Sequence, residues 1–188
     1  AFLILPRSAH RQIIWILHHG YTRVYFFLVM IKIKVSNRRL YNKNQAYIIV
    51  SNHVSPLDFM ANALAFPRAY KYLAKTELVK LPVFGYIVKK LCVLVDRMNP
   101  ESRRKSISYL EKTLNEGYSV FIYPEGTRNK TNDPLQAFHK GAFRVAIQTQ
   151  TPIAVQTITD IKSIIPQDRF GLQPGTVHIT WSKPIETS

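Results

Sequence analysis

Residues 46–58 read Ala46-Tyr47-Ile48-Ile49-Val50-Ser51-Asn52-His53-Val54-Ser55-Pro56-Leu57-Asp58. Ala46 to Val50 is brief, apolar and β-branched, the composition of a buried strand. Ser55-Pro56 then marks a helix start, with Pro56 at the first helical position and Ser55 as its cap. A buried strand running through a polar turn into a helix is the unit of an α/β domain. The same alternation extends down the chain. Strands are predicted at Tyr70–Ala74, Cys92–Val95, Ser119–Tyr123, Pro152–Ile158 and Val177–Trp181, with helices at Pro82–Lys90 and Phe138–Thr149 between them. The clearest helix is capped by Asn99, opened by Pro100 and Glu101, striped with Ile107, Leu110 and Leu114, and stopped by Gly117. No repeat, low-complexity run or internal linker interrupts this pattern. The expected fold is therefore a single α/β domain with a mixed, largely parallel sheet flanked by helices, preceded by an N-terminal helical segment.

Composition bounds the function. The chain has 188 residues, of which 46% are hydrophobic and 12% aromatic, enough to offset the chain entropy that folding costs. The single cysteine excludes a disulfide framework and fits a reducing compartment. Lys and Arg number 26 against 11 Asp and Glu, a net charge of +15, so an anionic partner is expected. Nucleic acid, an anionic membrane surface and phosphorylated small molecules all satisfy that requirement.

The first acidic residue is Asp58, and eight Arg and Lys residues precede it. Among them lie two apolar clusters, Ile13–Leu17 and Val24–Ile31, separated by His18, His19, Gly20 and Arg23. Spanning a bilayer takes about 20 mostly apolar residues. Arg23 interrupts any such run, so a transmembrane helix is not expected. Ala1–Leu5 is too short an apolar run, without a small-residue cleavage pattern, to be a secretory signal. Aromatic faces with interspersed arginines make residues 1–31 an expected interfacial membrane segment, each basic residue near anionic lipid contributing about 1 kcal/mol. The competing reading is a helix hairpin that simply covers the core.

Several chemistries lack their motifs. There is no phosphate loop, no dinucleotide Gly-x-Gly-x-x-Gly and no Gly-x-Ser-x-Gly nucleophile elbow. His18 and His19 point about 100° apart on a helix, and the other histidines are scattered, so no metal is expected. A basic nucleic-acid-binding module is the alternative from another class, resting on charge and on ten Tyr and ten Phe. Those aromatics lie in buried-looking strands or the N-terminal clusters and no reader motif is present, so no nucleic-acid partner is expected.

Chemistry is concentrated at two strand ends, where ligand sites of α/β sheets collect. On an unbroken helix His53 and Asp58 would stand about 140° apart. Pro56 disfavours helical angles at Ser55, leaving His53 in the turn and Asp58 in the first helical turn, where a carboxylate can reach back to the imidazole. Asp58 would then fix the tautomer and support an imidazolium. Ser55-x-x-Asp58 is equally a capping box, in which Asp58 merely ties up backbone donors. The second strand end reads Phe121-Ile122-Tyr123-Pro124-Glu125-Gly126-Thr127-Arg128. It is either a tight turn or, if the sheet order brings it beside His53, a turn presenting Glu125 and Arg128 to the same site. Arg97 follows another strand, and two arginines at strand ends suit bidentate capture of a phosphate.

Asn52-His53-x4-Asp58, Gly85, Asp96-Arg97, Pro124-Glu125-Gly126-Thr127-Arg128 and Pro152-Ile153 occur in this order over residues 32–185. Together they resemble the 1-acylglycerol-3-phosphate O-acyltransferase family of glycerolipid acyltransferases. The resemblance implies that residues 32–188 form the acyltransferase domain, with His53 as general base and Asp58 as its partner. It further implies an acceptor and phosphate site made by Arg97, Glu125, Gly126, Thr127, Arg128 and Lys75. The implied reaction moves a fatty acyl group from acyl-CoA or acyl-carrier protein to the hydroxyl of a lysophospholipid, foremost 1-acylglycerol-3-phosphate, giving phosphatidic acid. Another lysophospholipid or a lyso-aminolipid is the alternative acceptor. No cofactor is implied beyond the donor substrate, and the expected location is a membrane surface on the cytoplasmic side. Ala154-Val155-Gln156 departs from the family, which often carries a second proline there.

Overall fold

A computed structural model describes residues 7–80, 84–96, 98–166 and 171–187. Among these residues seven strands form one sheet: β1 (Ile31–Ser36), β2 (Ile48–Ser51), β3 (Tyr70–Lys75), β4 (Cys92–Val95), β5 (Ser119–Ile122), β6 (Ile153–Thr159) and β7 (Gly175–Trp181). Their spatial order is β1-β7-β6-β2-β5-β3-β4. Every neighbouring pair is parallel except β6 with β7. The mixed, largely parallel sheet expected from the alternation of elements is what forms.

Among the described residues five α-helices accompany it: α1 (Arg7–Leu28), α2 (Asp58–Ala65), α3 (Phe84–Leu91), α4 (Pro100–Asn115) and α5 (Gly141–Gln148). One sheet face carries Ile49, Phe121, Ala154 and Ile179, packed with Phe26 of α1 and Met60, Ala61 and Ala65 of α2. The other carries Ile48, Val50, Val120 and Ile122, packed with Leu110 and Leu114 of α4 and Ala142, Val145 and Ala146 of α5. Alternate residues of each strand thus serve opposite cores, which is why β2 and β5 read as continuous apolar runs.

Local chemistry sets the ends of the elements. The Asn99 side chain accepts the backbone N–H groups of Glu101 (2.9 Å) and Ser102 (3.2 Å), as the cap signal requires. Gly85 packs α3 against the short helical turn Thr76–Lys80, where a Cβ would lie 2.0 Å from the Val79 carbonyl oxygen. The predicted start of α3 at Pro82 lies outside the described residues.

Two expectations are corrected and one strand is added. The helix expected to begin at Pro56 begins at Asp58, because residues 54–57 fold as a turn around the Asp58 carboxylate. The α5 helix starts at Gly141 rather than Phe138, since the preceding loop is tied back by His139 N–H donating to the Pro124 carbonyl at 2.8 Å. β1 was not foreseen: Ile31, Ile33 and Val35 alternate with lysines along a strand that pairs in parallel with β7.

Residues 7–28 form one helix rather than a hairpin. Thr22 and Phe26 are buried against the domain, while Tyr21, Val24, Phe27 and Leu28 are exposed. Among the described residues no helix is long and apolar enough to cross a membrane.

Candidate active site

Because β2 and β5 are adjacent and parallel, their C-terminal ends open side by side, and the two polar strand ends meet. Asn52, just past β2, locks this edge to β6. Its amide donates to the Ile158 carbonyl (2.9 Å) and accepts the Ile158 N–H (2.8 Å).

His53 follows, and its Nδ1 lies 2.8 Å from Oδ2 of Asp58. Asp58 is fully buried, whereas the imidazole is 21% exposed. The same Oδ2 accepts the backbone N–H groups of Val54 (2.7 Å) and Ser55 (2.9 Å). Asp58 therefore does both things the sequence left open: it ties up backbone donors and it grips the imidazole edge. With Nδ1–H donated to the carboxylate, Nε2 carries the free lone pair.

The backbone of His53 is held from the loop after β5. Glu125 Oε1 accepts its N–H at 2.8 Å, and its carbonyl accepts the N–H of Asn129 at 2.6 Å. Glu125 is 2% exposed, and its other oxygen accepts the Gln136 N–H at 3.2 Å. Its carboxylate braces two loops from within instead of facing solvent. Asn129, equally buried, accepts the Thr131 N–H (2.9 Å) and donates to the Asp133 carbonyl (2.8 Å), shaping the loop beyond. Gly126 takes a positive φ of 76°, the conformation that lets the turn close with its N–H on the Tyr123 carbonyl at 3.0 Å.

Thr127 and Arg128 are exposed at the rim of this turn, and Lys75 is exposed at the end of β3, on the same sheet edge. The sheet order thus brings Glu125, Gly126, Thr127 and Arg128 beside His53, with Lys75 one strand further along. Arg97 lies outside the described residues. A cavity of about 510 Å³ opens beside these strand ends, lined by Val50, Val54, Pro124, Leu135, Phe138 and Val155 among others. Among the described residues no three His, Cys, Asp or Glu side chains converge to hold a metal ion.

Sequence reading missed one neighbour of the imidazole, Tyr123, and the residue that holds it, Asn62. Tyr123 stacks on the His53 ring with centroids 4.0 Å apart, and Asn62 donates to the Tyr123 phenol oxygen at 2.8 Å. Burial first, then the negative charge of Asp58, pushes the Tyr123 phenol well above its usual range, so it stays neutral. Asn62 was findable, since it lies one helical turn beyond Asp58 on the same face. Tyr123 carried no local signal, because its contact depends on the order of the strands.

The sequence model of the Acyltransferase family matches residues 32–159. The chain is 35% identical to the chloroplastic 1-acyl-sn-glycerol-3-phosphate acyltransferase BAT2 of Brassica napus, over 73% of this chain and 40% of that protein. It is 30% identical to the beta 1-acyl-sn-glycerol-3-phosphate acyltransferase of Homo sapiens, over 96% of this chain and 70% of that one. Its backbone superposes on the crystal structure of the LPA acyltransferase PlsC from Thermotoga maritima with a TM-score of 0.81. That match covers 99% of this chain and 74% of the other at 24% identity, a likeness of fold. The chain spans 40% of the length of the Brassica napus protein and of the similar Arabidopsis thaliana one. With the family match running from β1 through β6 and relatives of 30% and 35% identity bearing one name, the chain belongs to the 1-acylglycerol-3-phosphate acyltransferase family of acyltransferases.

Proposed function

We propose that this chain transfers a fatty acyl group from a thioester, acyl-CoA or acyl-carrier protein, to the free hydroxyl of 1-acylglycerol-3-phosphate, forming phosphatidic acid. The observation that carries this reading is the 2.8 Å contact between His53 Nδ1 and a fully buried Asp58 carboxylate, with the imidazole part exposed beside a basic rim.

In the proposed reaction Nε2 of His53 takes the hydroxyl proton as the oxygen attacks the thioester carbonyl. The C–S bond breaks, and the departing thiolate receives that proton from the imidazolium. Asp58 holds the tautomer and supports the transient positive charge. No acyl-enzyme is required. Arg128, Thr127 and Lys75, with Arg97, are the groups we assign to the acceptor phosphate, Arg for its planar fork of donors. Glu125 and Gly126 shape the turn that presents them. The apolar cavity beside the strand ends suits a fatty chain. The exposed face of α1 rests on the membrane surface at its cytoplasmic side, bringing the strand ends to lipids that barely dissolve in water.

A thiol-release assay pairing acyl-CoA and acyl-carrier protein with a panel of lysolipids tests the reading. The expected result is fastest release with 1-acylglycerol-3-phosphate and near-background release without acceptor. A higher rate with another lysophospholipid or a lyso-aminolipid would reassign the acceptor. Near-wild-type turnover by His53→Ala would end the mechanism, since positioned general-base catalysis supplies about 10²–10⁴-fold.

A further inference from the structure

Three aromatic rings from three adjacent strands lie nearly parallel at the open edge of the sheet. Tyr123, the first residue beyond β5, covers the His53 imidazole with an interplanar angle of 15° and centroids 4.0 Å apart. Tyr72, on β3 at the other side of β5, stacks with Tyr123 at 14° and 6.3 Å. Helix α2 locks both phenols. Fully buried Asn62 donates to the Tyr123 oxygen at 2.8 Å, and the Phe59 carbonyl accepts the Tyr72 hydroxyl at 2.6 Å. One face of α2 therefore grips the imidazole by its edge, through Asp58, and by its platform, through Asn62.

A neutral imidazole gains only dispersion from such stacking. An imidazolium is drawn in addition to the negative quadrupole of the ring face. The difference between those two states is what a rate can use, because only an interaction stronger in the transition state accelerates a reaction. We infer that Tyr123, fixed by Asn62, is a positioning residue that stabilises the imidazolium form of His53 as the acceptor hydroxyl loses its proton. This rests on the reading of His53 as the base. Among the described residues, the charged and titratable groups around His53 are Asp58 from α2, Glu125 and exposed Arg128 from the loop after β5, Lys75 at the end of β3, and Tyr123 itself backed by Tyr72. Both carboxylates remain in place when Tyr123 alone is changed, so a shift in the imidazole titration reports the stack.

The test replaces Tyr123 in the full chain by Phe, by Leu and by para-cyanophenylalanine, whose ring keeps the shape but loses the negative face. It follows the His53 imidazole by NMR titration alongside kcat and KM. Leu and para-cyanophenylalanine should lower kcat by roughly 3–10-fold, with KM unchanged and the imidazole titration displaced from that of the parent. Phe keeps the ring face and should retain most of both values, losing only the hydrogen bond from Asn62. The non-natural variant keeps the test alive if Leu fails to fold. Unchanged titration and kcat in the para-cyano variant would overturn the inference, as would a loss that Phe fails to rescue. His53→Ala, measured in parallel, separates the two readings. If that variant keeps its turnover the base assignment falls, whereas an inactive His53→Ala with an unmoved titration removes only the role of Tyr123.

Discussion

Glu125 accepts the backbone N–H of His53 at 2.8 Å through one carboxylate oxygen and the N–H of Gln136 at 3.2 Å through the other. It is thereby the strut between the loops that follow β2 and β5. Glu125→Gln should break one of these two contacts, because an amide NH₂ cannot accept a hydrogen bond. Buried hydrogen bonds to a charged group contribute about 1.5–3 kcal/mol each, so stability should fall by about that amount. Turnover should fall with it as His53 loses its anchorage. Denaturant melts together with the thiol-release assay check this, and a variant as stable and active as the parent would show that the strut is dispensable.

Asp58 allows charge to be separated from geometry. Among the described residues three donors converge on Oδ2, while Oδ1 is buried with no hydrogen-bond partner. In Asp58→Asn the new amide can therefore keep its oxygen on the three donors and place its NH₂ where Oδ1 stood. The turn should survive the change, but the negative charge that favours the imidazolium is gone. The expected outcome is retained folding by circular dichroism with kcat lowered by roughly 10² or more, within the range general-base catalysis supplies. Turnover close to the parent's would show that the carboxylate serves the turn alone.

What could be read before folding, and what could not, follows the range of the interactions. β2, β5 and α4 are bounded by residues whose effect is local: Pro56, Pro124, the Asn99-Pro100 cap and Gly117. The His53–Asp58 contact belongs to the same class, since five residues and one proline determine it. β1 was lost because Ile31 read as the end of an apolar cluster, and its partner Gly175 lies 144 residues away (175 − 31 = 144). The stack on His53 was lost for a related reason, because only the adjacency of β2 and β5 brings Tyr123 to it. Glu125 sits where the turn was expected, yet its carboxylate turns inward, and burial of that kind has no signature in a Pro-Glu-Gly tripeptide.

The N-terminal helix presents its own test. Removing residues 1–31 would strip Phe26 and Ile31 from the core, so weakened lipid binding would be confounded with unfolding. Phe27 avoids this, being 81% exposed beside exposed Val24 and Leu28. Phe27→Asp should leave the fold intact and weaken binding to vesicles containing anionic lipid by about 10-fold or more, the cost of losing one buried aromatic from a membrane contact. Sedimentation with such vesicles measures it. Undiminished binding would place the membrane contact elsewhere on the chain.

Cys92 opens β4 half-buried, and desolvation raises its thiol from 9.0 to about 12, an effect the Tyr72 backbone only partly offsets. A raised pKa means that the native state keeps the proton where the unfolded chain has lost it. The sulfur's contribution to stability is therefore complete below about pH 9 and declines as pH rises towards 12. At pH 8.5 the native thiolate fraction should be about 10³-fold below that of the unfolded chain. Iodoacetamide should accordingly modify native Cys92 far more slowly than the urea-unfolded protein, the gap narrowing above pH 10. Cys92→Ala should release thiol from the acyl donor at close to the parent rate, since the proposed transfer passes directly from thioester to alcohol. Fast native alkylation at neutral pH, together with an inactive Cys92→Ala, would instead identify this sulfur as a nucleophile and require an acyl-enzyme.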